Sequence, residues 1–261
     1  METEADIAEA WAQLAWQVEL GADEAIGEEP VNRFEVVEEK PKPKQPVVEA
    51  TPEVATKPVT PDLPDTAAIA AACNDLDALR MAMQAFEGCE LKQGARNTVF
   101  ADGNPAARVM VIGEAPGRDE DMEGRPFVGR SGQLLDKIFA AIGLDRMAEA
   151  PAEALYITNL LPWRPPNNRD PQADEIAMMK PFLMRHIELA QPEFLVLVGN
   201  FSTKTLLETT VGITRMRGQW GEVMGIPALP IFHPAALLRD STKKRPTWAD
   251  MLALKKRLDD V

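Results

Sequence analysis

The sequence predicts an α/β fold with a mostly parallel sheet covered by helices on both faces. Four short apolar runs, Arg108–Gly113, Ala154–Asn159, Phe194–Gly199 and Ala228–Phe232, are bounded by turn residues and read as strands. Helical patterns lie between them, at Ser131–Ile142, Gln172–Leu189 and Ser202–Thr209. Strands that alternate with helices imply βαβ crossovers. The runs are apolar nearly throughout rather than alternating, as strands buried on both faces are.

A further helix is expected before the first strand, over Thr66–Phe86, and another at the end, over Thr247–Leu258. Upstream, Ile7, Trp11, Leu14 and Val18 recur at helical spacing among acidic residues, which predicts a short amphipathic helix over about residues 3–20. That helix either docks another protein, or it packs on the body of this one or is only partly formed. Seven prolines fall between Pro41 and Pro64, a composition that cannot fill helix or sheet interiors. The expected organisation is an acidic segment 1–40, an extended linker 41–65 and a folded domain 66–261.

The net charge of −13 is unevenly spread. Residues 1–40 carry −10 and residues 201–261 carry +4, so a nucleic-acid partner stays open, because a local basic face matters more than the total. No run of eighteen apolar residues spans a membrane, and no basic stretch followed by an apolar block marks a secretory signal. Two cysteines, Cys73 and Cys89, make no disulfide framework and point to an intracellular protein. With His186 and His233 they also lack the spacing of zinc ligands, and no metal site is expected.

Ligands of an open parallel sheet bind beyond the carboxyl ends of its strands. Here those ends read Gly113-Glu114-Ala115-Pro116-Gly117, Thr158-Asn159, Gly199-Asn200 and His233-Pro234. A carboxylate, an amide and an imidazole thus meet on one rim. The loop after the first strand is glycine-rich and reads either as a phosphate cradle or as a plain strand-to-helix turn. It lacks the Lys-Ser/Thr ending of a nucleotide-binding P-loop and the GxGxxG spacing of a dinucleotide site.

Three stretches, in order, resemble the motifs of family 4 uracil-DNA glycosylases. The first is Gly113–Gly117 with Glu120-Asp121 and Gly124-Arg125-Pro126-Phe127-Val128-Gly129-Arg130-Ser131-Gly132. The second is Tyr156-Ile157-Thr158-Asn159 with Arg164-Pro165-Pro166-Asn167-Asn168-Arg169. The third is His233-Pro234-Ala235-Ala236-Leu237-Leu238-Arg239. The resemblance runs from about Phe86 to the C-terminus. It implies a three-layer α/β/α sandwich around a four-stranded parallel sheet, and an enzyme that flips uracil out of DNA and hydrolyses its N-glycosidic bond to leave an abasic site.

By the same resemblance, Glu114 orients or deprotonates the attacking water and stabilises the cationic sugar. His233, neutral, donates to the uracil O2, aided by the backbone N–H of Ala115. Asn159 reads the uracil edge, Phe127 stacks on the base, and Glu120 shapes the pocket. Asn168 is a further polar group at the pocket or rim, grouped with the catalytic residues. Leu237 or Leu238 wedges into the gap in the DNA, and Arg130, Ser131, Arg169 and Arg239 meet its backbone. The implied partner is uracil-containing DNA. A monomer is expected, located in the cytoplasm, in bacterial cytosol or nucleoid. A non-catalytic DNA-binding or replication-associated protein on this fold, or a glycosylase for another deaminated base, are the alternatives.

The sequence departs from the family at one place. Family 4 enzymes usually hold a [4Fe–4S] cluster through four cysteines. Phe86, Trp163 and Met179 stand at three of those positions, and only Cys89 remains. One cysteine cannot hold a cluster. The expectation is a protein without this cofactor, with Phe86, Trp163 and Met179 packed around Cys89 in the vacated volume.

Overall fold

The computed structural model describes residues 65–260. The acidic segment 1–40 with its expected helix, and all but the last residue of the expected linker, lie outside the described residues.

The expected helix Thr66–Phe86 is two helices, α1 (Thr66–Ala71) and α2 (Leu76–Ala85). Asp75 explains the break. Its extended backbone (φ −148°, ψ 172°) lets its carboxylate accept from the Ala78 amide at 2.7 Å. A cap of this kind requires a non-helical residue at the start of the helix, so the chain must leave α1 before it can begin α2. A short α3 (Leu91–Gly94) follows.

The strands are β1 (Asp102–Gly103), β2 (Val109–Gly113), β3 (Leu155–Asn159), β4 (Phe194–Val198), β5 (Gly221–Val223) and β6 (Ile226–Ile231), in the order β1-β3-β2-β4-β6-β5. The four expected strands form the parallel centre, β3-β2-β4-β6. Two unexpected edge strands run antiparallel, β1 on β3 and β5 on β6. They are too short to leave a pattern in the sequence. β1 depends on Gly103, whose φ is +95° and where a Cβ would lie 2.1 Å from the Leu155 carbonyl oxygen. β5 and β6 are joined through Met224 and Gly225, both at positive φ, the backbone of a tight hairpin.

The remaining helices are α4 (Arg118–Glu123), α5 (Arg130–Ala140), α6 (Ala173–Ala190), α7 (Asn200–Leu206), α8 (Ile213–Met216), α9 (Pro234–Arg239) and α10 (Lys244–Asp259). The pleat sends alternate strand residues to opposite cores. Val109, Val111, Ile157, Val196 and Ile231 meet Leu135 and Phe139 of α5 and Met251 and Leu254 of α10 on one face. Met110, Ile112, Tyr156, Leu195 and Leu197 meet Leu183 and Ile187 of α6 and Leu206 of α7 on the other. This is the three-layer arrangement, and both faces of the central sheet are buried. Among the described residues no helix is long and apolar enough to cross a membrane.

Candidate active site

Parallel pairing of β2 with β3 places Gly113 directly beside Asn159. The ladder continues past the strand ends: Leu160 N–H donates to Gly113 O, and Leu161 N–H donates to Glu114 O, each at 3.0 Å. The first carboxylate of the rim is thereby mounted on rigid backbone. A Cβ on Gly113 would stand 2.3 Å from Asn159 Oδ1 and 2.5 Å from Cε2 of Phe127. Glycine is what lets the amide and the aromatic ring converge over the end of β2.

Asn159 is buried, and among the described residues its Oδ1 has no hydrogen-bond partner. Buried polar atoms are nearly always paired, so an unpaired acceptor at a strand end marks a place where a ligand donates. The Phe127 ring lies with its centroid 5.6 Å from that of His233, tilted by 30°.

His233 caps the N-terminus of α9. The Ala235 amide donates to His233 Nδ1 at 3.1 Å. Burial, helped by the charge of Arg239, pushes the imidazole pKa down to about 4, with Glu120 acting in the opposite sense. The ring is therefore neutral near pH 7. With Nδ1 accepting, the proton sits on Nε2. His233 packs over Gly199, where a Cβ would lie 3.4 Å from that of His233.

Glu114 shows the opposite shift. Burial pushes its carboxyl up to about 7, and the negative charge of Asp170 adds to this. A carboxylate whose proton affinity matches neutral pH suits a general base. Asp170 is a group that sequence reasoning did not find; it acts on Glu114 through space from a loop 56 positions onward in the numbering.

Glu120 organises the loop between β2 and α5. Its carboxylate accepts from the amides of Gly117 (3.1 Å), Val128 (3.0 Å) and Gly129 (2.9 Å). The structure uses this side chain on the backbone that carries Phe127. The stretch read as a glycine-rich loop also contains α4, capped at Gly117.

Around the rim, Arg130, Leu238 and Arg239 are exposed, and Ser131 is partly so, in the first turn of α5. Three of the expected contacts come out differently. Leu237 is buried, 2% exposed, because it lies on the face of α9 turned to the core; of the two leucines only Leu238 is free to wedge. Arg169 is engaged in a bidentate pair with Glu175, at 3.0 and 2.5 Å, so its guanidinium ties the loop to the start of α6. Asn168 is exposed and its Oδ1 accepts from Arg164 Nε at 2.7 Å, a contact at the surface of the loop.

Phe86, Cys89, Trp163 and Met179 all fall in one apolar cluster, together with Cys73, Leu79, Leu161 and Phe182. The Phe86 ring meets that of Phe182 edge-on at 5.6 Å, and the Trp163 indole donates to Thr98 Oγ1 at 3.0 Å. Burial pushes the Cys89 thiol pKa up, which disfavours the thiolate that metal ligation needs. Cys73, the second cysteine, donates its thiol to the Ile69 carbonyl. These side chains do not fit a four-thiolate cluster. Ala115, next to Glu114, packs on the same cluster.

Comparisons with known proteins identify the family. A family profile described as the uracil DNA glycosylase superfamily matches residues 100–253. A type-4 uracil-DNA glycosylase of Sulfurisphaera tokodaii is 39% identical over 174 residues, 63% of this chain and 76% of the relative. Type-4 enzymes of Archaeoglobus fulgidus (39% over 174 residues, 62% of this chain and 83% of the relative) and Saccharolobus solfataricus (36% over 194 residues, 71% and 87%) are similar to a like degree. With this profile match and these relatives, the chain belongs to the uracil-DNA glycosylase superfamily, alongside its type-4 members.

Proposed function

We propose that this protein is a DNA-repair glycosylase that hydrolyses the N-glycosidic bond of uracil in DNA and leaves an abasic site. The observation that carries this is the unpaired Oδ1 of Asn159, buried beside the Phe127 ring over the end of β2. An acceptor and an amide donor on one side chain match N3–H and O4 of uracil. Cytosine presents an amino group and an unprotonated nitrogen in those places, so both pairings fail and discrimination follows.

The flipped base stacks on Phe127 while Asn159 holds its edge. As the C1′–N1 bond breaks, its electron pair goes to the base, which leaves as an anion. His233 Nε2–H donates to O2, where that charge collects, and the Ala115 N–H supports the same oxygen. Glu114, ionised, stabilises the cationic sugar and takes a proton from water as the water oxygen bonds to C1′. Leu238 enters the gap in the stack, and Arg130 and Arg239 contact phosphates.

The protein acts as a monomer on uracil-containing DNA in the cytoplasm or nucleoid. It works without a [4Fe–4S] cluster, whose volume is filled by the Trp163–Met179–Phe86 core. Uracil release from a labelled oligonucleotide tests the activity: wild type releases the base, while Glu114→Ala, Asn159→Ala and His233→Ala each lose about 10²-fold or more. No release by wild type refutes the activity, and equal rates refute the site. Iron analysis after anaerobic purification tests the cofactor reading; stoichiometric iron overturns it.

A further inference from the structure

Phe127 stands in the left-handed region, φ +53°, which costs a residue with a side chain of order 1–2 kcal/mol. Something must hold it there. On one side Glu120 takes the amides of Val128 and Gly129. On the other, Arg146 donates from Nη1 to Pro126 O and from Nη2 to Phe127 O, both at 2.9 Å. The peptide groups that flank the Phe127 Cα are thus gripped by one anion and one cation.

The guanidinium of Arg146 is almost wholly buried, its side chain 7% exposed. Its Nε–H goes to Asp136 Oδ1 at 2.8 Å, its Nη2 nitrogen lies 2.7 Å from the same oxygen as an ion pair, and a further Nη1–H goes to Asp102 Oδ2 at 3.0 Å. Four of its five N–H donors are thus hydrogen-bonded, and the charge is paired with two carboxylates. Asp136 belongs to α5 and Asp102 to β1, so the fork joins an edge strand, a helix and the loop of Phe127. Gly132 completes the seat, since a Cβ there would stand 1.8 Å from Phe127 O. A buried charge of this kind is expensive unless fully paired, and packing alone would be served by an apolar side chain.

We propose that Arg146 is a positioning residue for uracil recognition: with Glu120 it clamps the Phe127 backbone so that the ring is presented as a preformed stacking surface. The inference rests on Phe127 being the stacking residue. Lysine cannot replace it, because a point-like ammonium cannot serve two carbonyls and two carboxylates at once.

The test is a double-mutant cycle between Arg146→Met and Phe127→Ala. The readouts are KM for a uracil-containing oligonucleotide, inhibition by free uracil, and affinity for the same oligonucleotide carrying an abasic site. In the Phe127 background, Arg146→Met is expected to raise KM and the inhibition constant of uracil about tenfold. In the Phe127→Ala background the same change should add less than about twofold, and abasic-site affinity should stay within about twofold in both. A merely structural arginine would weaken all three readouts alike and equally in both backgrounds; that result overturns the proposal. Should Arg146→Met not fold, Arg146→Lys, which keeps the buried charge, is carried through the same cycle with the same criteria. A Phe127→Ala enzyme with unchanged KM and uracil inhibition would refute the stacking role itself, and with it the purpose assigned to Arg146.

Discussion

His233 and Ala235 are joined through the ring nitrogen Nδ1, which accepts from the Ala235 amide at 3.1 Å. This one bond decides where the imidazole proton sits. The cap of α9 and the tautomer of His233 are the same feature, because a helix N-terminus needs an acceptor and its supply leaves only Nε2 to donate.

The pH dependence of base release follows from this ring and from Glu114. In the proposed reaction Glu114 acts as a base and must be ionised; its pKa is pushed up to about 7, so kcat/KM is expected to rise with pH below that value and level off above it. His233, pushed down to about 4, stays neutral over this range and adds no limb until the pH falls near 4. Single-turnover excision between about pH 5 and about pH 9 should show one ascending limb. Glu114→Gln should abolish it, whereas His233→Ala should lower the plateau and keep the limb.

Gly113→Ala should empty the site of substrate by crowding Asn159 and Phe127, with Glu114 and His233 left in place. The new Cβ would lie 2.3 Å from Asn159 Oδ1 and 2.6 Å from Cζ of Phe127, where the edge and face of the base are to be read. Uracil excision is expected to fall by about 10²-fold, with a stability loss of about 1–3 kcal/mol from overpacking. Urea unfolding beside the excision assay separates the two effects.

Trp163→Ala probes the core that stands at the cluster position. Trp163 is 1% exposed among Cys89, Met179 and Phe182. Removing it should cost about 3–5 kcal/mol, read as a lowered urea midpoint. Wild-type unfolding, in contrast, should be indifferent to iron chelators.

Leu237 and Leu238 are neighbours with opposite duties. Leu237→Ala should destabilise the protein by about 2–5 kcal/mol, because it leaves a cavity behind α9. Leu238, 45% exposed, should change stability by less than about 0.5 kcal/mol on replacement by alanine. Its loss should instead slow excision from double-stranded DNA more than from single-stranded DNA, since only a duplex leaves a gap to fill.

The chain by itself determined the parallel centre of the sheet, the placing of Glu114, Asn159 and His233 at strand ends, and which side chains stand at the family's cysteine positions. Each is local: an apolar run bounded by turns, a polar residue at its end, a cysteine exchanged for Phe86, Trp163 or Met179. The short strands β1 and β5 were not legible, because two or three residues carry no period and are held by partners elsewhere in the chain. The break between α1 and α2 was written in Asp75 but outweighed by the apolar periodicity around it. Tertiary structure alone decided which of two adjacent leucines faces solvent, that Arg169 is taken by Glu175, and that Asp170 raises the Glu114 pKa. It also decided the seat of Phe127, for Arg146 meets partners 10 to 44 positions away. The physical reason is common to all of these. A side chain's period and chemistry are written in sequence, whereas its exposure and its electrostatic neighbours exist only once distant segments are brought within a few ångströms.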